Sequence, residues 1–101
     1  MSDKNSQKRI TVDLSPEVAE GTYANLTLVT YSPAEFFVDF ARMVPGAPKA
    51  KVQSRIIMTP SHAKALLRAL DQNIAKYEGE HGEINVPEQH GVPKLDGPMP
   101  N

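Results

Sequence analysis

The spacing of the apolar residues changes once along this chain of 101 residues, between Thr59 and Pro60, and that change constrains the fold most. Upstream the pattern has the two-residue period of strands. Downstream, Ala63, Leu66, Leu67, Leu70, Ile74 and Tyr77 recur at three- and four-residue intervals, which puts them on one face of a helix. A run of strands followed by one helix implies an α+β domain.

Four segments have strand character. Ile10, Val12 and Leu14 alternate with polar residues, and Ser15-Pro16 closes them off. Thr22 to Tyr31 is rich in β-branched and aromatic residues, and Phe36 to Met43 follows after the turn signal Ser32-Pro33-Ala34-Glu35. Val44-Pro45-Gly46-Ala47-Pro48 breaks that strand, and Lys51 to Thr59 forms the next. Loops this short favour antiparallel neighbours. For the helix, Thr59 is the expected N-cap, Pro60 its first residue and Gly79 its terminator. The expected architecture is an antiparallel four-stranded meander with the C-terminal helix packed on one face, in two layers. Residues 1–9 read as a disordered lead, 10–84 as the single domain and 85–101 as a Pro/Gly-rich flexible tail.

Composition narrows the function classes. The formal charge of −1 provides no global field for nucleic acid or an anionic membrane. There are no cysteines, which excludes disulfide staples, thiolate zinc sites and thiol catalysis. Residues 1–9 lack the apolar stretch of a secretory signal, and no segment has the ~20 apolar residues that span a bilayer. The expected location is cytoplasmic.

One helix covers one sheet face, yet both faces carry apolar groups. Tyr23, Val29, Tyr31, Phe37, Met43 and Ile57 are read as the helix-free face and the candidate interaction surface. Its occupant is the tail or N-terminal arm, or else a second copy in a homodimer, the commonest closed assembly.

No constellation reads as catalytic. Asp39 lies between Val38 and Phe40 in an apolar strand, where pairing with Arg55 or Arg42 is expected to fix the register. Glu35 belongs to the turn and does not converge with Asp39 on a substrate. Asn25 lies mid-strand, where it either satisfies a backbone group or marks a bulge. His62, His81 and His90 lack metal-ligand spacing, and there is no phosphate-cradling glycine loop or nucleophile elbow. No metal, cofactor or small-molecule substrate is expected. Arg42, Lys49, Lys51 and Arg55 with Tyr23, Tyr31 and Phe37 form the one arrangement suited to single-stranded nucleic acid.

The residues Gly21-x-Tyr23-Ala24-Asn25, Glu35-Phe36 with Asp39-Phe40, and Ser54-Arg55-Ile56-Ile57-x-x-Pro60 form a joint pattern. His62-Ala63-Lys64, Leu70-x-x-Asn73, Tyr77-Glu78 and Gly82-Glu83-Ile84 continue it. In these the chain resembles a family of short bacterial proteins of unknown function, a resemblance that implies no catalytic role. The strand meander and long helix are also similar, at the level of fold, to the SecB-like export chaperone, although that chaperone is strongly acidic and this chain is not.

The function expected is that of a non-enzymatic binding or adaptor protein acting as a homo-oligomer, with itself and another protein as partners on the apolar surface. The alternatives are a SecB-like holdase, and an accessory factor of the transcription machinery or a nucleic-acid binder.

Overall fold

The structure, a computed structural model, describes residues 9–87. The lead expected at 1–9 lies outside them save Arg9, as does the tail expected at 85–101 save its first three residues. The elements run α1 (Pro16–Ala19), β1 (Leu26–Tyr31), β2 (Phe36–Arg42), β3 (Lys51–Met58) and α2 (Pro60–His81). The strands form one antiparallel sheet in the order β1-β2-β3.

Two turns set the register. Ser32 N–H donates to the Glu35 carbonyl at 2.9 Å, and Ser32 Oγ accepts from the Ala34 and Glu35 amides. Pro33 supplies the fixed φ between them, so Tyr31 pairs with Phe36 and their rings stack at 5.5 Å. Between β2 and β3, Ala47 N–H donates to the Val44 carbonyl at 3.0 Å across Pro45-Gly46. Gly46 has φ +87°, the left-handed value that the third position of a type II turn demands. A bulge then shifts the β2–β3 register after Phe40, pairing Val52 with Ala41.

The sheet has three strands among the described residues, one fewer than expected. Ile10, Val12 and Leu14 join no ladder and are 77%, 83% and 63% exposed. Alternation equips a segment for a strand but does not supply the neighbour that completes its hydrogen bonds. Ser15 instead accepts from the Val18 amide at 3.3 Å and caps α1, with Pro16 in the first turn. Ser15-Pro16 and Thr59-Pro60 are the same helix start signal, so Ser15-Pro16 opens α1 where the alternation before it suggests the close of a strand.

Helix α2 starts as its sequence predicts. Thr59 Oγ1 accepts from the His62 amide at 3.3 Å and lies 2.9 Å from His62 Nδ1. It does not stop at Gly79, which stays helical. The helix ends at Gly82, whose N–H donates to the Glu78 carbonyl at φ +96°.

The expected helix lay flat across the sheet, whereas α2 has no buried residue and leaves Leu67 64% and Leu70 51% exposed. Among the described residues the buried apolar ones are Val38 and Ala41, both on the central strand. Periodicity determines which side chains share a helix face, and it is silent on what covers them.

Candidate functional site

The first three turns of α2 overhang one face of the sheet without closing onto it. Between them runs an open groove of about 880 Å³. Thr27, Val29, Phe36, Val38 and Phe40 form the sheet wall, and Pro60, Ala63, Lys64, Leu66, Leu67 and Leu70 the helix wall. The polar side chains among these are Thr27 and Lys64. Small-molecule sites orient their ligands with convergent polar groups, and this groove has almost none. Its walls suit apolar side chains. Past the groove the stripe continues through Ile74 (44% exposed) and Tyr77 (51%).

On the opposite face, Asp39 and Arg55 are cross-strand partners in the register. Arg55 Nε donates to Asp39 Oδ1 at 2.7 Å and the Arg55 terminal nitrogen to Oδ2 at 2.8 Å, a two-pronged pair. The Asp39 carboxylate is 1% exposed, and the hydrogen bond from Arg55 holds its pKa below the ordinary 3.8 despite the opposing effect of burial. The same bond pushes the Arg55 pKa up from its ordinary value. The guanidinium also lies 5.2 Å from the Phe37 ring centroid, with its charge over the aromatic face. A carboxylate held this far into its ionised form is a poor proton donor or acceptor near neutrality.

Asn25 closes the far end of β1. Its amide nitrogen donates to the Met43 carbonyl at 3.0 Å and its oxygen accepts from the Met43 amide at 2.7 Å. The side chain thus substitutes for a rung of backbone ladder where β1 has not yet begun, which explains an asparagine at this place.

The structure separates the six residues read from the sequence as one surface. Val29 and Tyr31 lie on the groove side, in register with Val38 and Phe36. Phe37 and Ile57 pair with each other on the Asp39–Arg55 side. Tyr23 lies outside the sheet, with Arg42 5.8 Å from its ring centroid, and Met43 follows β2 in the clasp of Asn25. The reason is the parity of the β1–β2 turn, which puts Tyr31 beside Phe36 and not beside Phe37. The basic set is divided as well, since Arg55 is committed to Asp39 while Arg42 pairs with Lys51 in the register.

Sequence reasoning misses Phe36, Val38, Phe40, Leu66 and Leu67 as a groove surface, because a helix packed flat on the sheet would close them into a core. Among the described residues, no group of three His, Asp or Glu could hold a metal ion, and no helix is long and apolar enough to cross a membrane.

The family model described as "Protein of unknown function (DUF3467)" matches residues 1–86. The chain belongs to that family. The match spans every element of the fold, including the whole of α2 and both walls of the groove. No curated protein and no solved structure matches the chain.

Proposed function

We propose that this member of the family is a non-enzymatic binding or adaptor protein that works as a homo-oligomer. The observation that carries the reading is the groove. A chain that buries only Val38 and Ala41 among its described apolar residues, yet aligns a helix stripe against a sheet wall, has the parts of a core without its closure. Fully burying one Leu, Ile or Phe side chain is worth roughly 1.5–3 kcal/mol, so a protein that fills this groove gains several such terms together. Apolar walls without orienting polar groups favour protein side chains over a small ligand. The surface inferred is therefore the groove and the α2 stripe, in place of the helix-free face.

Size-exclusion chromatography with light scattering tests the reading. The expected result is a mass that is a multiple of the 11.1 kDa chain, and a monomer at all concentrations would overturn it.

A holdase that binds unfolded clients is favoured by one specific feature, the near absence of polar selectivity in the groove. It predicts suppressed aggregation of a denatured client by the purified protein, and a groove already closed by a second copy predicts none.

A further inference from the structure

We infer that the partner in the groove is a second copy of this chain, joined through an antiparallel pairing of the two α2 helices; this rests on the homo-oligomer reading above.

Ala63, Leu67, Leu70, Ile74, Tyr77 and His81 follow one another at intervals of four, three, four, three and four residues. That is the heptad repeat of a helix whose stripe faces another helix, with Leu67, Ile74 and His81 in one of the two core positions and Ala63, Leu70 and Tyr77 in the other. Antiparallel pairs match the two kinds of core position across the axis. A two-fold placed beside residue 72 does this throughout: Leu67 meets the second copy's Tyr77, Leu70 its Ile74 and Ala63 its His81. The Tyr77 and His81 rings already adjoin along the stripe, 4.8 Å between centroids. In this arrangement the second copy's Ile74 and Tyr77 lie beside the first three turns of α2, where the groove opens. That puts them at the open side of the groove, opposite the sheet wall that includes Phe40.

The flanking charges point to the antiparallel sense. Lys64, Asp71 and Glu78 occupy equivalent positions one heptad apart beside the stripe. Antiparallel pairing sets Lys64 against Glu78 of the second copy, twice by symmetry, whereas parallel pairing sets this flank against the second copy's opposite flank, with Asp71 beside Leu66 and Glu78 beside Asn73, and yields no opposite-charge pair. Asp71 meets its own copy next to the two-fold, a like-charge contact that opposes the antiparallel association.

The absence of native cysteine allows single cysteines to report the geometry. In the antiparallel pair the two Lys64 positions are roughly 24 Å apart along the axis, at 1.5 Å per residue. Asp71→Cys is expected to cross-link to itself with a short bis-maleimide. Lys64→Cys alone is expected not to, and Lys64→Cys mixed with Glu78→Cys is expected to give the heterodimer. Lys64→Glu and Glu78→Lys should each weaken association about five-fold, the two changes together should restore it, and Asp71→Asn should tighten it. An oligomer that cross-links through Lys64→Cys alone, or through none of these positions, overturns the helix pairing and leaves the oligomer reading standing. A monomeric wild-type chain overturns both. A monomer whose binding of an unfolded client is lost in Leu67→Asp would instead give the groove to that client.

Discussion

Asp39 and Arg55 face each other across β2 and β3, joined by hydrogen bonds of 2.7 and 2.8 Å that leave the carboxylate 1% exposed. Removing Asp39 leaves a guanidinium without its partner, and removing Arg55 strands a buried charge. Asp39→Ala is expected to destabilise the fold by about 2 kcal/mol, below the range for a fully buried pair because Arg55 is partly exposed. Arg55→Lys is also expected to weaken it, since an ammonium cannot reproduce the two-pronged contact. Urea denaturation at fixed protein concentration measures both.

The same pair predicts an acid dependence. Asp39 has a lowered pKa when folded, so the unfolded chain takes up the proton first as pH falls. Its contribution is therefore complete above the ordinary value of 3.8 and is lost as pH falls through the lower folded value. Asp39→Asn should remove that part of the acid slope. Unfolding free energies at a series of acidic pH values for the two proteins provide the comparison, and identical slopes would count against the role given to the pair.

Asn25→Ala removes both hydrogen bonds to the Met43 backbone. Because the site is exposed, the expected cost is about 1 kcal/mol. The change should be local, seen as faster hydrogen exchange at the Met43 amide with little effect at the β2–β3 ladder.

The two glycines at the end of α2 should respond in opposite directions. Gly79 is helical with open space where a Cβ would be, so Gly79→Ala should stabilise by about 0.5–1 kcal/mol. Gly82 has φ +96°, and Gly82→Ala should cost about 1 kcal/mol and fray the last turn. Thermal melts followed by far-ultraviolet circular dichroism distinguish them.

A pair of charge insertions separates core from interface. Ala41 is 1% exposed and lies outside the groove, and Ala41→Asp should unfold the chain by burying an unpaired charge. Leu70 is 51% exposed, and Leu70→Asp should leave the sheet folded and lower the oligomeric mass. Leu70 read from the sequence alone would be a core residue whose loss unfolds the domain.

Much of the fold is legible in residue order because its determinants are local. Thr59-Pro60 starts α2 and Pro33 and Gly46 make the turns through contacts a few residues apart. The three strands are visible for the same reason. Ile10 to Leu14 mislead because their alternation satisfies half of what a strand requires. The helix stripe misleads in a related way. Ala63 to Tyr77 announce a face to be covered, and nothing local says whether sheet, tail or second copy does the covering. Register is the other non-local quantity. Whether Val29 and Phe37 share a face depends on the parity of a four-residue turn, and Val52 changes its neighbours through a bulge that no composition signals.

The central claim is that the apolar core is completed by a second copy of the chain. Differential scanning calorimetry across a roughly hundred-fold range of protein concentration tests it most directly, since folding coupled to association makes Tm concentration-dependent. The account predicts a Tm that rises with concentration in the wild-type chain and does so much less in Leu70→Asp. A concentration-independent Tm for a monomeric wild-type protein would contradict it.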